Sequence, residues 1–179
     1  METFCPANRQ EWRQWLQENH ASAQSIWLVY YKKRANRPTL TWSEAVDEAL
    51  CFGWIDSTAR PIDEEKFMQF FTKRKPTSVW SKINKEKIRR LTAAGLMMPA
   101  GRQCISLARK NGSWSILDEV EALKIPKDLE QAFKSKRGSK AHFTTLSRSV
   151  QKSYLQRLVL AKRPETRLKR IQEIVNLGE

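Results

Sequence analysis

A change of hydrophobic period near residue 78 constrains this 179-residue chain more than any other feature. Before it, helical spacing alternates with short β-branched and aromatic runs; after it, apolar residues recur only at the spacing of one helix face. Upstream, Trp12, Trp15 and Leu16 mark an amphipathic helix from Gln10 to Asn19, and Ile26 to Tyr31 reads as a buried strand. Thr41-Trp42-Ser43-Glu44 has the form of a capping box, in which Thr41 accepts the Glu44 N–H and the Glu44 carboxylate reaches back. Ala45, Val46, Ala49 and Leu50 then share one face, and Gly53 stands where a left-handed residue ends a helix. Trp54 to Thr58 and Lys66 to Thr72 read as two more strands. Residues 59–64 are enough to close them into an antiparallel hairpin, and a period of two puts Trp54, Asp56 and Thr58 on one side. The expectation is an α+β layer, a small antiparallel sheet of at least three strands covered by helices.

Downstream, Ser78 or Thr77 is the expected cap of a helix that Pro76 prevents from starting earlier and Gly95 ends. Trp80, Ile83, Ile88, Leu91 and Ala94 form its stripe. A second helix opens at Pro99 with Ala100, Cys104, Leu107 and Ala108 inward. Further helices are expected over 127–134, 140–146, 149–161 and 165–177. Tyr154, Leu155, Leu158 and Val159 face inward on the third of these, and Leu168, Ile171, Ile174 and Val175 on the fourth. A composition shift from Ser113 to Glu121 sets the expected boundary between an α+β core domain, 1–112, and a helical C-terminal module, 113–179.

The net charge of +14 is unevenly spread: residues 72–110 carry eleven basic side chains and one acidic, and residues 124–179 carry fourteen and five. Such a field attracts nucleic acid, anionic small molecules or acidic proteins, although a basic run is also the ordinary make-up of a solvated helix face. Cys5, Cys51 and Cys104 are odd in number and far apart, without the paired spacing of a zinc or redox site. They read as reduced thiols, Cys51 as a small buried hydrophobe, and the expected localisation is cytoplasmic. Met1 to Gln14 has no apolar segment of the kind a secretory leader needs, and no run is long enough for a membrane span. His20 and His142 are solitary, so no metal is expected. Without a Gly-rich phosphate loop, a Ser/His/Asp arrangement or paired carboxylates, no cofactor is implied.

Two dense runs, Ala49-Leu50-Cys51-Phe52-Gly53-Trp54-Ile55-Asp56-Ser57 and residues 71–84 from Phe71 to Asn84, resemble the signature of the YdeI/OmpD-associated, or bacteriocin-protection, family. Phe143-Thr144-Thr145-Leu146-Ser147, Tyr154-Leu155 and residues 161–171 are similar to that family's C-terminal helical module. The resemblance implies a stress- or resistance-type protein. A chain this basic would repel cationic peptides, so protection would be indirect, through a regulatory anion or an acidic partner.

Within the two runs the candidate ligand-binding residues are Trp54, Asp56, Arg74, Lys75, Ser78, Trp80, Ser81 and Asn84. Asp56 beside Trp54 is placed to face a cleft, with Arg74 holding it ionised. Arg74, Lys75, Ser78, Ser81 and Asn84 gather around a helix start, where backbone N–H groups and a guanidinium suit a phosphate or carboxylate. Core packing and ordinary capping account for the same residues. Three classes of function follow: binding of an anionic ligand or acidic partner, nucleic-acid binding through basic helices at 78–110 and 149–177, and an enzyme acting on an anionic small molecule with Asp56 as general base.

Overall fold

The computed structural model describes residues 2–178, and the chain divides into two compact units, Met1–Ser113 and Trp114–Glu179. The first is organised around helix α2 (Trp42–Cys51). Its capping box is formed as expected, with Glu44 N–H donating to Thr41 Oγ1 at 3.2 Å and Thr41 N–H to Glu44 Oε2 at 2.8 Å. Gly53, at φ +75°, turns the chain out of the helix, a conformation that glycine adopts without steric cost. Helices α1 (Arg9–Asn19), α3 (Lys82–Ala93) and α4 (Pro99–Lys110) pack against α2. As a result, every residue from Ala45 to Cys51 is buried, Asp47 and Glu48 included. Glu48 accepts from Arg9 and Arg13 of α1. Asp47 accepts from Lys87 at 2.7 Å and Arg90 at 2.5 Å, both on α3. Each buried carboxylate is thus matched by two cations, which offsets its desolvation.

The sheet has four strands, β1 (Thr3–Phe4), β2 (Ser25–Tyr31), β3 (Trp54–Pro61) and β4 (Lys66–Lys73), in the order β1-β2-β4-β3. β1 runs parallel to β2 and the other pairs are antiparallel, so the layer is α+β with a mixed sheet. A β-bulge between Asp56 and Ala59 shifts the register of β3, and the strand continues to Pro61. On the helix-covered face Trp12 meets the edge of Phe71 at 5.5 Å and stacks on Trp15 at 5.3 Å; Trp15 in turn meets Trp54 at 5.8 Å. On the opposite face Trp27 lies 4.8 Å from Phe70.

Two expectations for the helices are corrected. α3 starts at Lys82 with Ser81 as its cap, accepting from Asn84 N–H at 3.3 Å, and not at Ser78 or Thr77. Ser78 closes a turn by donating its N–H to Lys75 O at 2.9 Å. Trp80 is therefore buried ahead of the helix, Ile83 is 65% exposed, and Ala94 also faces water. On α4 the buried residues are Gly101, Ile105 and Ala108, while Ala100 and Cys104 are half-buried and Leu107 is exposed. The reason is backbone contact. A Cβ on Gly101 would lie 2.8 Å from Leu50 O and closer still to Cys51 O, so the bare Gly101 face is the one that meets α2.

The second unit is helical: α5 (Asp118–Glu121), α6 (Lys127–Ser135), α7 (Ser139–Thr145), α8 (Arg148–Val159) and α9 (Pro164–Val175). Leu129, Phe133, Phe143, Leu155, Leu158, Ile171, Ile174 and Val175 make its core. Tyr154 and Val159 are half-buried and Leu168 points to solvent, a narrower inward face than the spacing suggests. α9 is fastened by Arg167, which donates to Asp128 at 2.6 and 2.9 Å and to Leu158 O at 3.0 Å. The Arg167 hydrogen bond holds the Asp128 carboxyl below its usual range. Its stabilisation is therefore present above the unfolded value, about pH 3.9, and is lost as pH falls through the lower folded value. Both side chains are partly in water, so Asp128→Asn is expected to lower stability at neutral pH by only about 0.5–1 kcal/mol. In thermal melts the difference should close in acid. Among the described residues no helix is long and apolar enough to cross a membrane.

Candidate functional site

Where β4 ends, Arg74 N–H donates to Gly53 O at 2.9 Å, so the two dense runs meet backbone to backbone. The turn after Arg74 is held at Pro76 O by Asn111 Nδ2 at 2.8 Å and Ser113 Oγ at 3.3 Å, both just beyond α4. Met98 N–H donates to Cys51 O at 3.1 Å, and the close approach at Gly101 sets α4 beside Gly53. These three strips enclose a pocket of about 340 Å³. Phe52, Gly53 and Trp54 form one side, Lys73, Arg74 and Pro76 the next, and Ala100, Gln103, Cys104 and Leu107 of α4 the third, with His20 and Ala21 completing the rim.

Arg74 gives the pocket its character. Its guanidinium lies over the Trp80 ring, 3.7 Å from the centroid, and Nη2 donates to Val79 O. Nε and Nη1 are enclosed and have no hydrogen-bond partner, although the residue is only 9% exposed. Burial pushes the guanidinium down to about 10, opposed weakly by the Cys104 thiol and by Asp56, so it remains charged at neutral pH. Among the described residues no carboxylate forms an ion pair with it. Burial also pushes the Cys104 thiol up, against the nearby Arg74, which keeps Cys104 a neutral thiol. His20 is already engaged, with Nδ1 2.8 Å from Leu16 O and its ring 5.2 Å from Phe52; Lys73 Nζ donates to Ala21 O at 2.6 Å on the solvent side.

Of the residues singled out from sequence, Trp54 and Arg74 line this pocket. Trp54 is buried, with Nε1 3.4 Å from His20 O, and Trp80 is the buried platform behind the guanidinium. Lys75 is exposed, Ser78 closes its turn, and Ser81 and Asn84 serve the cap of α3. Asp56 stands apart from Arg74. Its carboxylate accepts from Trp42 Nε1 and Gln69 Nε2, each at 2.9 Å, so these two groups and not the guanidinium are its partners. The α4 wall was not anticipated. Its one signal in the sequence is Gly101, a glycine inside a helix, which marks close backbone approach.

A larger groove of about 520 Å³ in the second unit, beside α8 and α9, is lined by Lys152, Arg157 and Arg170. There the basic heads are engaged, Lys152 with Glu121 at 2.5 Å, Arg157 with Glu173 at 2.9 Å and Arg170 with Arg157 O.

The fold and site define an α+β unit carrying an arginine-lined pocket, joined in one chain to a helical unit. The chain belongs to the family described as a domain of unknown function (DUF8412), whose model matches residues 4–104 and so takes in both dense runs. Residues 122–177 match the model described as Bacteriocin-protection, YdeI or OmpD-Associated, so the resemblance to that family holds for the C-terminal part and the two dense runs lie outside it. No curated protein and no solved structure matches the chain.

Proposed function

We propose that the first unit binds a small anionic ligand whose charge is met by Arg74. The observation that carries this reading is a buried guanidinium with Nε and Nη1 unpaired at the wall of a pocket. An unpaired buried charge costs several kcal/mol, and an incoming carboxylate or phosphate offsets that cost by supplying the missing acceptors. Both nitrogens are enclosed, so a ligand reaches them when the surrounding wall gives way. The enzyme reading draws less support, because Asp56 is held by Trp42 and Gln69 outside the pocket lining. Nucleic-acid binding rests on the two basic segments and on the tryptophans, of which Trp54 and Trp80 are buried.

On this reading the protein is a ligand-responsive member of a stress or resistance system, in keeping with the bacteriocin protection named for the C-terminal family. The free thiols Cys5, Cys51 and Cys104 support residence in the cytoplasm. Calorimetric titration of phosphorylated and carboxylated metabolites tests the reading. At least one should bind wild type, and Arg74→Ala should weaken it about 10- to 100-fold, the worth of a charge-assisted hydrogen bond. Heat from none of them, or equal affinity in the variant, would remove it.

A further inference from the structure

We infer that the ligand of the Arg74 pocket is a small monocarboxylic acid with an apolar, ring-sized body, in preference to a phosphorylated or polyanionic compound. This deepens the anion-binding reading and rests on it. The charge present in the lining sets the head group. Arg74 is its buried cation, whereas Lys73 keeps its ammonium on the Ala21 carbonyl at the solvent side. His20 is occupied by the Leu16 carbonyl through Nδ1. Cys104, a neutral thiol, adds a weak donor and no charge. One buried positive charge balances one carboxylate. A phosphate dianion or a polycarboxylate would bring a second charge against mostly apolar walls, and Lys73 could meet it only by leaving the Ala21 carbonyl.

The walls set the body. Phe52 and Trp54 are buried side chains whose faces, with Pro76, Ala100 and Leu107, make most of the surface apolar. The volume, about 340 Å³, is at the small end of the range for small-molecule sites. That suits a body of one ring or a short branched chain. Trp80 already covers one face of the guanidinium at 3.7 Å, so an acid meets the edge that carries the unpaired N–H groups once the wall enclosing them gives way.

Four probes that vary head and body separately decide the matter: phenylacetate, 2-phenylethanol, phenyl phosphate and acetate, titrated calorimetrically into the full-length chain. Phenylacetate should bind with a dissociation constant of about a millimolar or tighter. The alcohol, the phosphate ester and acetate should each be weaker by about tenfold or more. Arg74→Ala should abolish the preference for the acid over the alcohol. Leu107→Trp, at an exposed rim position that leaves the core untouched, should weaken phenylacetate by about tenfold by filling the mouth.

Phenyl phosphate binding as tightly as phenylacetate, with the same loss in Arg74→Ala, would overturn the ligand class while leaving the anion site standing. Equal binding of the alcohol, unchanged affinity in both variants, or silence from all four probes would overturn the inference. The anion-binding reading itself falls only if the wider metabolite titration is silent too.

Discussion

Trp12→Ala is expected to lower the unfolding free energy of the first unit by about 3–5 kcal/mol. The indole has no exposed surface, stacks on Trp15 at 5.3 Å, meets Phe71 at 5.5 Å and donates from Nε1 to Ala45 O at 3.0 Å. Truncation removes the apolar burial, leaves a cavity between α1 and the sheet, and forfeits the indole hydrogen bond to Ala45 O, three losses that act together. The damage should also reach the pocket, because Trp15 rests on Trp12 and meets Trp54, a pocket wall, at 5.8 Å. Urea denaturation of the full-length chain, followed by circular dichroism, measures the loss as a shift in midpoint. A loss below about 1 kcal/mol would mean that α1 collapses onto Phe71 and fills the space, and that the aromatic chain does not brace the pocket.

How far such features could be read from sequence depended on how local their causes are. The capping box of Thr41 and Glu44 and the stop at Gly53 were legible because each is settled within a few residues. β2 and β4 were legible from their β-branched and aromatic runs, but β1, with two residues, is too short to show a period. The start of α3 was misplaced for a tertiary reason. Ser78 and Ser81 are both acceptable caps, and the choice falls to Ser81 because Arg74 stacks on Trp80 and bonds Val79 O, holding residues 75–80 in a turn. Asp47 and Glu48 lie outside the apolar face of Ala45, Val46, Ala49 and Leu50 and are buried all the same. Their burial depends on cations from α1 and α3, far away in sequence, which no periodicity reveals. The same holds for the site. Gly53 and Arg74 sit in runs dense enough to single out, whereas the α4 wall and the unpaired state of the guanidinium are properties of packing alone.

Arg74→Met is expected to stabilise the free protein while removing its affinity for anions, a combination that separates a binding role from a structural one. Burial that pushes the guanidinium down to about 10 corresponds to on the order of 3 kcal/mol against the charged form. Methionine fills similar space without a charge to desolvate. It forfeits the hydrogen bond to Val79 O, worth about 1 kcal/mol, and the stacking on Trp80, worth about 0.5–1 kcal/mol. The balance is a gain of about 1 kcal/mol, or a rise of a few degrees in melting temperature. The sign of the pH dependence follows from the lowered value. The penalty on wild type is fully present below the folded value and is relieved as the buried group gives up its proton, so the advantage of methionine should be flat through neutral pH and shrink above about pH 10. Thermal melts across that range, beside titrations with the anions wild type binds, check both halves. A fall in melting temperature would mean that Arg74 is kept to hold the turn at Val79. A rise with affinity intact would mean that anions bind elsewhere. A rise with affinity lost is what a charge retained for a ligand, at the expense of the empty fold, must produce.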